Sequence, residues 1–158
     1  MFDSSEFRRI LGHWATGVAV VTTRDPRGRA CGLTANSFCS LSLEPLLVLA
    51  CIERAAATHG CIVAARVFAI NVLRSDQERI GRRFAAPDIS DKFDGVAYRE
   101  ERTGAPVLED CLAWVDCRLW RHDDGGDHAV FIGEVLAGDA REGEPLIYYR
   151  GGYGGLAP

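Results

Sequence analysis

The chain opens with Asp3-Ser-Ser-Glu6, a capping-box pattern with Asp3 in the capping role. Apolar Phe7, Ile10, Leu11 and Trp14 follow at i, i+3, i+4 and i+7, the spacing of an amphipathic helix, which Gly17 is expected to end. Val18-Ala-Val-Val-Thr-Thr23 is β-branched and strand-like. Asp25-Pro-Arg-Gly28 carries turn chemistry, and Ala30 to Thr34 completes a hairpin. Leu46–Ile52 is a short apolar run between Pro45 and Glu53-Arg54, the pattern of a strand covered on both faces. Thr58 to Arg66 predicts a short helix and Val67 to Leu73 another strand, and Ser75-Asp-Gln-Glu78 repeats the capping box ahead of a helix to Phe84. Residues 85–106 carry little periodicity and read as a long excursion. Cys111–Arg121 and His128–Leu136 are predicted to pair across a turn at Asp124-Gly125, with Leu146–Tyr149 as the last strand. The glycine-rich stretch 151–155 reads as a mobile tail.

Six or seven strands in hairpin order with two or three short helices predict a mainly β fold, an antiparallel barrel forming a single domain over 1–158. The βαβ alternation of a parallel sheet is absent, as is any G-x-G-x-x-G. A nicotinamide nucleotide bound here would therefore not be held in the Rossmann manner.

Composition narrows the classes. Hydrophobic residues at 47% and charged residues at 25% suit a globular domain and not a disordered one. A net charge of −4 disfavours a nucleic-acid backbone as partner. No apolar stretch reaches the roughly 18 residues of a membrane helix, and Met1-Phe-Asp-Ser-Ser5 lacks a signal pattern, so a cytoplasmic location is expected. Six cysteines, at 31, 39, 51, 61, 111 and 117, sit mostly in apolar company and read as buried thiols rather than a disulfide framework. With no C-x-x-C and no paired histidines, no metal site is expected. Of 18 basic residues only Lys92 is a lysine.

The densest polar cluster is Gly32-Leu-Thr-Ala-Asn-Ser-Phe-Cys-Ser-Leu-Ser42, at a strand's exit. Such a segment can offer backbone N–H groups and short donors to a planar heterocycle or a phosphate, or it can be a serine-rich turn that caps its own backbone. His128, at a strand start after Gly126-Asp127, taken alone reads more readily as a structural residue.

Read further, to Leu-Glu-Pro-Leu-Leu-Val48, the cluster resembles the signature of the flavin reductase-like family, the short reductases that serve two-component flavin monooxygenases. Trp14-Ala-Thr-Gly-Val-Ala-Val-Val-Thr-Thr23, Phe68-Ala-Ile-Asn-Val-Leu73, Asp91-Lys-Phe93, Gly104-Ala-Pro-Val-Leu108, Gly126-Asp-His128 and Tyr148-Tyr-Arg-Gly-Gly-Tyr153 are similar to the family in the same order. The resemblance implies a six-stranded Greek-key split barrel that dimerises with itself, binds FMN or FAD, and takes hydride from NADH or NADPH. It implies that Thr34, Ala35, Asn36 and Ser37 line the isoalloxazine edge with Ser40 nearby. It implies that the segment after the Leu46–Ile52 strand reaches the ribityl or phosphate end, with Arg54 and Thr58 as donors where relatives carry serines and this chain has Ala55 to Ala57. Lys92 and Phe93 then sit by the flavin phosphate. Gly126, Asp127 and His128 hold the nicotinamide, with His128 in the catalytic position, and Cys51, Ile52 and Tyr153 complete the cofactor-binding set. A separate monooxygenase would receive the reduced flavin. Rival readings are a pyridoxamine-phosphate-oxidase-like enzyme, a non-enzymatic flavin carrier, and a haem-binding split barrel.

Overall fold

The computed structural model describes residues 1–157. Asp3 caps α1 (Ser4–Leu11) as its spacing requires, its Oδ1 accepting the backbone N–H of Ser5 and of Glu6 at 2.9 Å each. The helix ends at Gly12 and not at Gly17: Gly12 N–H makes the last i→i−4 bond, to the Arg8 carbonyl at 2.8 Å, and the next two N–H groups, of His13 and Trp14, tighten to the carbonyls three residues back. Trp14 therefore lies beyond the helix, and Phe7, Ile10 and Leu11 form an apolar face that the chain leaves exposed.

Strands β1 (Thr16–Gly17), β2 (Ala19–Arg24), β3 (Ala30–Ala35), β4 (Phe38–Leu43) and β5 (Leu46–Glu53) lead into α2 (Ala57–Ala65). Then come β6 (Val67–Val72), a 3-10 turn over Ser75–Gln77, and α3 (Glu78–Ala85). The chain closes with β7 (Tyr98–Glu100), β8 (Pro106–Leu108), the long hairpin β9 (Ala113–Gly125) and β10 (His128–Ala140), β11 (Ile147–Tyr149) and β12 (Gly152–Gly154). The main sheet is antiparallel and has seven strands in the order β3-β2-β6-β9-β10-β5-β4.

The expected six-strand count is corrected by β4. Phe38–Leu43 lies within the polar cluster, yet its residues alternate and pair with β5 across a hairpin at Glu44-Pro45. Among the described residues, no ladder joins the edge strands β3 and β4, so backbone pairing does not close the sheet into a barrel. The excursion 85–106 is corrected too, because Tyr98–Glu100 pairs with Pro106–Leu108. The tail is not loose: β12 pairs with β11, which pairs with β1. The turn expected at Asp124-Gly125 falls at Gly126-Asp127, where Gly126 has φ +80°, the geometry that the first position of a tight hairpin turn asks of glycine.

Side chains of β2 alternate between two cores, which explains its unbroken apolar run. Ala19 and Val21 pack with Ile52, Ile62, Phe68 and Phe131, while Val18 and Val20 face Leu73, Phe84, Leu108 and Leu146. Between them lies a buried polar knot. The Asn71 amide donates to the Val20 carbonyl and to Thr22 Oγ1 at 3.0 Å each and accepts the Leu108 N–H at 2.8 Å. Every polar arm of Asn71 is thereby used, so its full burial carries no desolvation penalty left unpaired. Its effect is to hold β8 against the sheet.

Candidate functional site

Four stretches distant in sequence meet at one cleft of about 770 Å³, within the roughly 300–1,000 Å³ of small-molecule and cofactor sites. One wall is β3 and its exit, through Thr34, Ala35, Asn36 and Ser37. A second is the end of β5 with the first turn of α2, through Cys51, Ala55, Ala56, Ala57 and Thr58. The third is the stretch after α3, including Lys92 and Phe93, and His128 completes the rim from the start of β10.

The hydroxyls in this cleft are largely spent on the fold. Thr34 Oγ1 donates to the Gly81 carbonyl of α3 at 2.6 Å, and Ser37 Oγ to the Cys51 carbonyl at 3.1 Å. The Cys51 N–H returns to the Ser37 carbonyl at 2.8 Å, which ties the two walls together. Asn36 stands exposed at the strand's exit. The cluster thus walls the cleft while its Thr34 and Ser37 hydroxyls bind carbonyls of α3 and β5.

Other groups along the cleft suit an anion. Ala56 precedes α2 and offers no side-chain cap, so the backbone N–H groups of Ala57 and Thr58, which line the cleft, are left without a capping side chain. Lys92 supplies a cation there. Its Nζ donates to the Phe84 carbonyl at the end of α3 at 2.8 Å, and burial lowers its pKa from the ordinary lysine value. An ammonium carries three donors, which leaves two for a ligand. Arg83 fixes this loop by donating to the carbonyls of Lys92 and Asp91 at 2.7 and 3.0 Å.

Other expected site residues stand elsewhere. Ile52 is fully buried in the core, and Ser40 lines a separate apolar hollow with Phe38, Val48 and Trp114. Tyr153 packs on Tyr148 under the Arg82 guanidinium. Arg54 does not line the cleft. It clasps the tip of the β9–β10 hairpin, donating through Nε to the Gly126 carbonyl at 3.0 Å and through its backbone N–H to the Asp127 carbonyl at 2.9 Å, and pairing with the Asp124 carboxylate. Gly126 and Asp127 thus form the turn that presents His128. His128 Nδ1 lies 2.8 Å from Asp127 Oδ1, and this hydrogen bond, with the charge of His128, lowers the Asp127 pKa.

Sequence reasoning missed the part of the wall at Pro87 and Ile89, because the loop after α3 has no period to read, and at Phe84, whose place in α3 was visible but whose side-chain surroundings were not. It also missed Cys31, whose strand was visible but whose side-chain direction was not. Among the described residues no group of three or more potential metal ligands comes together, and no helix is long and apolar enough to cross a membrane.

Comparison with known proteins fits this architecture. The flavin reductase like domain matches residues 11–157. A flavin reductase of Pseudomonas putida is 41% identical over 98% of this chain and 91% of its own. The reductase subunit of a flavin-dependent monooxygenase from Rhodococcus jostii is 41% identical over 99% of this chain and 80% of its own. The structure of a Streptomyces globisporus NADH:FAD oxidoreductase in complex with NAD and FAD fragments superposes with a TM-score of 0.92 at 37% identity, covering 99% of this chain and 94% of that one. With the family's domain matched over residues 11–157 and a relative 41% identical across nearly its whole length, the chain belongs to the flavin reductase-like family.

Proposed function

We propose that the chain is an NAD(P)H-dependent flavin reductase that reduces FMN or FAD and releases the product to a separate flavin-dependent monooxygenase. The observation that carries this reading is the convergence on one cleft of the Thr34–Ser37 wall, the anion-favouring groups of Thr58 and Lys92, and His128. The residues fit a flavin. A planar ring has a wall of small side chains and backbone to lie against, and a phosphate has a bare helix N-terminus and an ammonium.

With both nucleotides bound, hydride passes from the nicotinamide ring to the flavin ring, chemistry that belongs to the nucleotides themselves. The protein's part is alignment. Thr34, through its bond to Gly81, and Ser37, through its bond to Cys51, keep the wall rigid. Lys92 and the first turn of α2 anchor the charged end. His128, held by Asp127 and by the Arg54 clasp on the hairpin, sets the nicotinamide face. Correct placement of two reactants supplies much of a barrier reduction of this kind, so no nucleophile is needed.

We further propose a homodimer whose curved sheet is the family's split barrel. The apolar side chains left exposed on α1 and on the β4–β5 hairpin, with Leu43 at 86% and Leu46 at 54%, need covering. Six free thiols accord with the reducing cytoplasm, where we place the protein. The test is a two-by-two assay of FMN and FAD against NADH and NADPH, read by nucleotide absorbance. Flavin-dependent oxidation in at least one combination is expected. Flavin binding without turnover would replace the enzyme with a carrier.

A further inference from the structure

Cys31 and Cys61 are set apart from the other four thiols by contact with each other. Their sulfurs lie 2.7 Å apart, across 30 residues of sequence. Cys31 is half-buried in β3 and lines the cleft, while Cys61 lies in the middle of α2 and is 8% exposed. No other side chain separates them, and the sulfurs need close by only a fraction of an ångström to reach the roughly 2.05 Å of a disulfide. The ion pair of Asp25 and Arg29, at 2.8 Å, flanks the two thiols. Burial, reinforced by the hydrogen bond and charge of Cys61, pushes the Cys31 thiol up to about 12, and either sulfur can donate in the contact between them.

We propose that Cys31 and Cys61 form a reversible dithiol–disulfide pair in the wall of the cleft, oxidised by hydrogen peroxide. The thiolate of one cysteine attacks a peroxide oxygen. The O–O bond breaks, an S–O bond forms, and the departing hydroxide is protonated to water, leaving a sulfenic acid. The neighbouring thiol then attacks that sulfur, the S–S bond forms, and a second water leaves. Two thiols lose two electrons and two protons, and one peroxide becomes two waters. An external dithiol reverses the step by exchange. Peroxide is also what reduced flavin yields when it meets dioxygen instead of an oxygenase. That link, unlike the chemistry of the pair, rests on the flavin reductase reading. The cross-link fastens β3 to α2, the two elements that form adjoining walls of the cleft.

The test uses the whole reduced protein, treated with a small excess of hydrogen peroxide, then alkylated and digested with trypsin without reductant. Cleavage after Arg29, Arg54 and Arg66 places Cys31 in the peptide Ala30–Arg54 and Cys61 in the peptide Ala55–Arg66. The expected product is these two peptides joined, with fragment ions assigning the bond to Cys31 and Cys61. It should disappear with dithiothreitol. The oxidised protein should melt about 5–10 °C higher, since the bond closes a long loop in the unfolded chain. Cys31→Ser and Cys61→Ser should each abolish both effects. A disulfide between Cys39 and Cys51, or separate oxidation of Cys31 and Cys61 to sulfinic acids, overturns the proposal. A parallel arm adds FMN or FAD before peroxide. Because Cys31 lines the cleft, a bound flavin should slow disulfide formation several-fold. Formation at an unchanged rate would leave the pair intact and count against the flavin site alone.

Discussion

Lys92 has two tasks that a substitution can separate. Its bond to the Phe84 carbonyl closes α3, and its remaining donors face the cleft. Lys92→Ala should raise the KM for flavin about ten- to hundredfold, the loss of one charge-assisted contact worth roughly 1.5–3 kcal/mol, with kcat changed less. Steady-state kinetics in flavin would check this, and an unchanged KM would confine Lys92 to the helix end. His128→Ala should act on the other nucleotide. Flavin affinity should stay near wild type while anaerobic flavin reduction at limiting NADH slows about tenfold or more, since small misplacements at a hydride-transfer site are costly. Stopped-flow across NADH concentrations reads the two effects apart. His59 gives a prediction about pH. Burial, then the charges of Arg54 and His122, lower its pKa below 6.5, and its Nε2 is buried without a partner. Between that lowered value and 6.5 the unfolded chain binds more protons than the native one, so this residue's contribution is unimpaired above 6.5 and is lost as pH falls through the window. Urea midpoints at about pH 7.5 and about pH 5.5 should therefore differ more in wild type than in His59→Phe.

The β9–β10 hairpin is where the site depends on an element rather than on a side chain. Its tip projects exposed residues from Arg121 to Asp127, and Arg54 at the end of β5 fastens it through Gly126, Asp127 and Asp124. Arg54→Ala should loosen the turn that carries His128, and so raise the KM for the nicotinamide nucleotide several-fold while leaving the KM for flavin nearly constant. The reverse pattern would make Arg54 a donor to the flavin phosphate. The sequence held the strands whose apolar pattern is locally decisive, such as β2, β5 and β6, and the cap on α1. It misled where tertiary pairing overrides composition: the serines of β4 sit in a strand because β5 offers a ladder, and the glycines of β12 are ordered by β11. The candidate site was legible through its resemblance to a family, at Thr34 to Ser37, Thr58, Lys92 and His128. It was not legible at Arg54, whose partners lie some 70 residues away across the sheet and leave no local pattern.

At the scale of the molecule, α1 is the conspicuous surface. Phe7, Ile10 and Leu11 of α1, with Trp14 just beyond it, are 53, 44, 50 and 76% exposed, and an amphipathic helix with its apolar face so open is marginal alone. Pairing of two chains would cover such surface, so light scattering at micromolar concentration should give about twice 17.2 kDa, and Leu11→Glu with Trp14→Glu should shift the protein toward monomer. A monomeric wild type that binds flavin and turns over would remove the dimer from the picture. The cleft has a different consequence at this scale. Its walls come from stretches spread between residues 30 and 128, so in the unfolded chain the ligand's contacts are scattered along most of its length. A nucleotide lodged there recognises only the assembled chain and acts as a removable tether among strand, helix, loop and hairpin. The chain's resistance to heat and proteases thus becomes a gauge of how much flavin surrounds it.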